Sequence, residues 1–170
     1  QLAECRAEIY IHKHVSKARE KAMAQYGAKV TRVDGNYEAS LAACKMDAEK
    51  HGWHIISDTS WDGYRDIPLL IMAGYTLIGS EVIDQLGAET LTHCFLPIGV
   101  GGLASGIVAP LWQHMNENLS CMISVESYMS ACFLESIAAQ TPTLVDITEE
   151  TLMAGLSCGE VSVSYTHLTL

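Results

Sequence analysis

Short apolar runs of strand period alternate along this chain with longer stretches of helical period, and that alternation limits the folds open to it more than any other feature. Residues 7–12 (AEIYIH) read as a strand, 16–26 as a helix opened by a capping Ser16, and 29–33 as a second strand ended by Asp34-Gly35. A helix is expected over 37–51 and a strand over 54–57. A further helix is expected over 67–86, with Pro68 in its first turn, where a missing N–H does no harm, and Gly87 at its end. Then come a strand over 93–98, a glycine turn, a helix over 103–116, a strand over 121–125, a helix over 128–139 and a last helical piece near 149–156. Strands and helices in such alternation, joined by right-handed crossovers, imply an α/β fold of mostly parallel sheets with helices on both faces. Ligands in such folds sit at the carboxyl ends of strands, where this chain places SDTSWDGY (57–64) and the glycine turn PIGVGGLASG (97–106).

With 170 residues and 49% hydrophobic content, the chain can bury one sizeable core. Its formal net charge is −10, all six lysines lie at or before Lys50, and Arg65 is the only Lys or Arg after residue 50. That distribution offers no cationic face to a nucleic acid beyond the N-terminal third. It also means that an anion at the glycine turn would be held by backbone N–H groups and a helix N-terminus. The long apolar stretch 95–112 is broken by Pro97, Gly99, Gly101, Gly102, Gly106 and Pro110, so no membrane span is expected there. No export signal is read in these residues, and a cytoplasmic location is expected. The six cysteines show no CxxC pair and are expected to be free thiols. His12 with His14 and His51 with His54 lack a third ligand nearby, so no metal site is expected.

The glycine turn itself carries several readings. Strand, glycine turn and helix is an arrangement for phosphate, because glycine lets the backbone approach, successive N–H groups point at the anion and the helix dipole favours negative charge. A nucleotide P-loop needs Gly-Lys-Ser/Thr, which the chain lacks. Gly99-x-Gly101-x-x-Ala104 fits the form of a dinucleotide (NAD-type) fingerprint, with Glu126 at the end of the next strand in reach of a ribose hydroxyl, although three strand–helix units precede it. A single phosphate, such as that of pyridoxal phosphate, could be cradled by Gly99, Val100, Gly101 and Gly102, and the glycines could equally serve only a tight turn. Glu126 reads equally as a helix cap, and Asp58 as a turn former or, beside a cofactor, as a base.

GWHIISDTSWDGYRDIPLLIMAGYTLIGSEVIDQL (52–86), PIGVGGLASG and TLMAGLSCGE (151–160) together resemble the diaminopropionate ammonia-lyase family, and the resemblance extends back through IYIHKHVSKAREKAMAQYGAKVTRVDGNYEAS (9–40). That family depends on pyridoxal 5'-phosphate and belongs to fold type II. DTSWDGY with the following Ile67-Pro68 is the specific part. The resemblance implies that Gly99, Val100, Gly101 and Gly102 hold the cofactor phosphate and that Asp58 takes the α-proton from one enantiomer of 2,3-diaminopropionate. The β-amino group then leaves, and aminoacrylate hydrolyses to pyruvate and ammonia. An unperturbed Asp is a weak base at neutral pH, so the role requires a raised pKa or an enforced contact. The resemblance also implies a homodimer, and it matches Cys132 and Cys158 to cysteines near the family's active-site mouth. Threonine or serine dehydratases of the same fold are the alternative within the enzyme class.

Against the family pattern, the chain resembles an internal fragment. The segment with the Schiff-base lysine is not found in it, and VSVSYTHLTL (161–170) departs from the family and reads as a non-native tail. Residues 1–87 are expected to form part of the smaller domain and 88–160 part of the larger, cofactor-binding one. The chain alone is expected to be inactive and aggregation-prone.

Overall fold

A computed structural model describes residues 4–115, 121–149 and 151–162. By packing, the chain divides into two compact units, Gln1–Ile55 and Ile56–Leu170. The Gly87 position expected as a boundary from composition falls inside the second unit, because the helix before it packs on the helix after the glycine turn.

In the first unit β1 (Glu8–His12) pairs in parallel with β2 (Lys29–Val33), and α1 (Lys17–Ala24) makes the connection a parallel pair requires. Ser16 opens α1 as expected, its side chain accepting the Arg19 N–H. Arg32 bonds the carbonyls of Lys13 and Val15, at 2.7 and 2.8 Å, and pairs with Glu20, fastening the β1–α1 turn to the strand. Next, α2 (Tyr37–His51) starts at Asn36, whose side chain accepts from Ala39, and stops at Gly52 in the left-handed conformation at φ 67°. Its packing partner is β1, across which the Tyr10 hydroxyl meets Asp47 at 2.6 Å.

The second unit begins with the 57–64 turn and α3 (Asp66–Leu86), followed by β3 (His93–Pro97), α4 (Gly102–Met115), β4 (Cys121–Val125) and α5 (Cys132–Ala139). β3 and β4 are parallel and in register from His93 opposite Cys121 to Pro97 opposite Val125. The core is Leu96, Ile98, Ala104, Ile107 and Leu111, covered by Val82 and Ile83 of α3 and by Leu103. α3 and α4 approach closely at two glycines: a Cβ on Gly106 would lie 2.6 Å from the Tyr75 Cβ, and one on Gly79 would lie 2.5 Å from Pro110. Along α3, an 18-residue window has mean hydropathy 1.4, enough by length and composition to span a membrane.

Three expected elements differ. Residues 54–57 form no strand and join neither of the two described sheets. The helix expected over 128–139 splits into a 3-10 turn, Tyr128–Ser130, and α5, with Ala131 at ψ 51° between them. Near 149–156 only the 3-10 turn Ala154–Leu156 forms, and Glu150 lies outside the described residues. Of the expected tail, Val161 and Ser162 are described and buried, at 3% and 2% exposure, while 163–170 lie outside.

Candidate functional site

The glycine turn lies between the carboxyl end of β3 and the amino end of α4, as the alternation requires. Ile98 extends the parallel ladder one step, its N–H donating to the Val125 carbonyl at 2.9 Å, and Gly101 turns the chain at φ 102°, a conformation that disfavours any side chain. Ser105 N–H donates to the Gly101 carbonyl at 3.0 Å and closes the first helical turn. Among the described residues, no hydrogen bond uses the N–H of Gly99, Val100, Gly101 or Gly102. Four backbone donors with no acceptor among the described residues therefore gather at the positive end of a 14-residue helix, three of them on residues without side chains.

The segment 156–158 closes on this turn from the side. A Cβ on Gly99 would stand 3.1 Å from the Cys158 sulfur, a tight contact, and 3.5 Å from the Leu156 Cα, so this segment packs directly against the glycine. Between those two residues, Ser157 Oγ is buried with no partner among the described residues. On α5, the Cys132 thiol donates to the Gly99 carbonyl at 3.6 Å. Cys132 is fully buried, and burial, with Glu126 and Cys158 nearby, pushes its pKa up to about 12. Both cysteines are thiols, set around the same glycine.

Asp58 sits exposed in the 57–64 turn, whose backbone is held on both sides of it. Before it, the Ser57 N–H donates to the Tyr64 hydroxyl at 2.9 Å; after it, Thr59 N–H donates to Ser57 Oγ at 3.2 Å. Trp61 and Tyr64 exchange backbone hydrogen bonds of 3.2 and 2.9 Å, and their rings stack with centroids 4.1 Å apart. Ser60, at 6% exposure, reaches the glycine turn through Ser162: Ser60 N–H donates to Ser162 Oγ at 3.0 Å, and Ser162 N–H donates to the Val100 carbonyl at 3.0 Å. The turn carrying Asp58 and the glycine cradle thus belong to one connected piece of structure. Nothing local in the sequence pointed to Ser60, Ser162 or Ser157.

Glu126 is committed elsewhere. Its two carboxylate oxygens accept from the N–H groups of Phe133, at 3.2 Å, and Leu134, at 2.8 Å. It caps α5, which removes it from the ribose role that the dinucleotide reading needed.

A model of the pyridoxal-phosphate dependent enzyme family matches residues 1–168. The chain belongs to that family. The diaminopropionate ammonia-lyase of Salmonella typhimurium is 34% identical over 164 residues, which are 93% of this chain and 40% of that protein. The crystal structure of the Escherichia coli diaminopropionate ammonia-lyase, in complex with an aminoacrylate-PLP azomethine reaction intermediate, superimposes with a TM-score of 0.87 at 32% identity, over 96% of this chain and 42% of that one. Threonine deaminase isoform 2 of Solanum lycopersicum shares the fold, with a TM-score of 0.78 at 21% identity over 96% of this chain and 44% of that one. The fold is therefore that of the fold type II pyridoxal-phosphate enzymes, and the chain spans about 40% of the length of the ammonia-lyases it matches.

The cofactor of this family is pyridoxal phosphate, and the residues present fit its phosphate. Among the described residues the four N–H groups of residues 99–102 have no acceptor, Gly101 holds a conformation that disfavours a side chain, and a Cβ on Gly99 would crowd the Cys158 sulfur at 3.1 Å.

Proposed function

We propose that this chain forms part of an enzyme that eliminates ammonia from 2,3-diaminopropionate, giving pyruvate and ammonia. In this reading Gly99, Val100, Gly101 and Gly102 hold the cofactor phosphate through their N–H groups, and Asp58 removes the α-proton of one enantiomer. When bound, pyridoxal phosphate supplies an electron sink for the charge left by that proton. The observation that carries the reading is the hydrogen-bonded path from the Asp58 turn to the glycine cradle, through Ser60, Ser162 and Val100. A carboxylate on a backbone held at residues 57, 59 and 60 can be kept at one place relative to the phosphate, so the contact a weak base needs is enforced by position. The relatives' names support the substrate, and so does the resemblance of the DTSWDGY turn to that family.

The same reading places the enzyme in the cytoplasm as a homodimer acting on a small amino acid, with no nucleic-acid or membrane partner. The net charge of −10 and the lone cation after residue 50 support the exclusion of nucleic acid.

A chimera tests the function. Residues 1–162 replace the homologous stretch of the Salmonella typhimurium enzyme, so that Ser162 is carried with the Asp58 turn and the cradle, and cofactor loading is checked by visible absorbance. The chimera is expected to release pyruvate from 2,3-diaminopropionate. Asp58→Asn is expected to lower the rate on one enantiomer by about 10²–10⁴-fold, the usual contribution of a general base, with the cofactor still bound. Equal rates for Asp58→Asn and its parent on both enantiomers would remove Asp58 from the role. A loaded chimera that turns over serine or threonine and not diaminopropionate would move the assignment to the dehydratases of the same fold.

A further inference from the structure

The proposed phosphate cradle and the proposed base lie on segments far apart in sequence, and one side chain joins them. Ser162 is 2% exposed and Ser60 6% exposed. Ser162 Oγ accepts the Ser60 N–H at 3.0 Å, and the two hydroxyls share a hydrogen bond of 2.6 Å, across 102 residues of sequence. Ser162 N–H in turn donates to the Val100 carbonyl, in the middle of the glycine turn, at 3.0 Å. On the other side of Asp58, the Tyr64 hydroxyl accepts the Ser57 N–H. Asp58 thus stands exposed on a backbone anchored two residues later to the cradle and one residue earlier to its own turn.

We infer that Ser162 is a positioning residue: by bonding Ser60 and Val100 at once, it fastens the turn that carries Asp58 to the glycine cradle and makes the placement of Asp58 depend on whether the cradle is occupied. The inference rests on the reading of the site given above. The physical reason is that an anion taking up the N–H groups of residues 99–102 restrains the Val100 peptide. The Val100 carbonyl holds Ser162, and Ser162 holds the Ser60 backbone, so restraint at one end lowers the freedom left at the other. Removing the Ser162 hydroxyl leaves the buried Ser60 N–H and Ser60 hydroxyl without this partner, which favours local opening of the turn.

Amide hydrogen exchange on the chimera carrying residues 1–162 tests this, in its apo form and with pyridoxal phosphate or inorganic phosphate. The variants are Ser162→Ala, Ser60→Ala and Ser162→Thr, with the amides of α3 and α4 as the control for an intact fold. Without ligand, Ser162→Ala is expected to speed exchange of the Ser60 amide by about tenfold or more, tenfold being the change that corresponds to about 1.4 kcal/mol. Ser60→Ala is expected to leave the amide at position 60 protected, because its N–H still donates to Ser162 Oγ, and Ser162→Thr is expected to restore protection. With pyridoxal phosphate, the amides of residues 57–64 are expected to slow in the unsubstituted chimera and in Ser162→Thr but not in Ser162→Ala, although residues 99–102 are protected in all three. A hydroxyl that served stability alone would not break that transmission.

Unchanged exchange at Ser60 in Ser162→Ala, with α3 and α4 intact, overturns the fastening whatever the ligand does. Protection of residues 57–64 by pyridoxal phosphate that persists in Ser162→Ala overturns the dependence on cradle occupancy. If pyridoxal phosphate protects residues 99–102 in no variant while the ligand-free pattern holds, the fastening stands and the cofactor reading of the cradle fails. Protection by inorganic phosphate equal to that by pyridoxal phosphate assigns the coupling to the phosphate group.

Discussion

Cys132 and Glu126 show how a single position near the cradle is decided by what surrounds it. Glu126 ends β4 and is spent on two N–H groups of α5, so the carboxylate that completed a dinucleotide pattern on paper is a cap in the fold. Cys132 is fully buried against the Gly99 carbonyl, and burial raises its pKa to about 12. Its folded-state pKa therefore lies above the unfolded one, and its contribution to stability is complete below the unfolded value, near 8.5 for a free thiol. That contribution is lost as pH rises toward about 12, because the unfolded chain releases the proton first. Cys44 and Cys94, raised by burial, act in the same sense. Unfolding midpoints in urea are expected to fall between about pH 9 and pH 12, and to fall less steeply in Cys132→Ala than in the native chain. A midpoint independent of pH over that window would show that Cys132 is not buried as described. In the same experiment exposed Cys5 and Cys121 are expected to alkylate first at pH 8, with Cys132 protected until unfolding.

Among the elements, the crossing of α3 and α4 is the most constrained. Gly79 and Gly106 let the two backbones approach until a methyl group on either would overlap the other helix: the Gly106 Cβ would meet Tyr75 Cβ at 2.6 Å and the Met72 carbonyl oxygen at 2.9 Å. Glycine inside a helix is locally costly, so its presence at both contact points is explained by packing and not by helix propensity. Gly106→Ala is expected to destabilise the second unit by about 1–3 kcal/mol, the usual range for overpacking, read as a lowered urea midpoint. Gly74→Ala, on α3 with open space around its Cβ position, is the control and is expected to be neutral or slightly stabilising. Equal midpoints for the two variants would mean that the helices do not cross at Gly106. Because α4 begins at the cradle, a shift at this crossing also moves the N–H groups of residues 101 and 102.

Taken as a whole, the chain leaves much apolar surface uncovered. Leu70 and Leu77 on α3 are 71% and 66% exposed, Phe95 on β3 is 66% exposed, and among the described residues each sheet has two strands, with no further strand on its outer edges. Relatives that are about two and a half times as long contain further chain to cover such surfaces, since the match spans 40% of their length. The isolated chain is expected to sediment as aggregates at micromolar concentration and to release no pyruvate from 2,3-diaminopropionate. Leu70→Lys with Leu77→Lys is expected to shift it toward the monomer by sedimentation velocity. A monodisperse native chain, or an active one, would contradict this account of the exposed face.

The elements whose limits depend on neighbours in sequence were legible from the residues. The spans of α2, β2 and β4 and the stop of α3 at Gly87 follow from the turn at Asp34-Gly35, from Gly87 itself and from apolar spacing, because turns and periodicity act within a few residues. The glycine cradle was legible for the same reason, since its conformational demand falls on adjacent residues. What the residues alone left open is whatever requires a partner distant in sequence. Residues 54–57 have strand composition and form no strand; Glu126 has the position of a ribose ligand and the bonds of a cap; the need for glycine at positions 79 and 106 shows only once the two helices cross. Ser60 and Ser162 are the extreme case, two ordinary hydroxyls whose meeting across 102 residues is decided only when the chain folds and burial leaves each the other's partner.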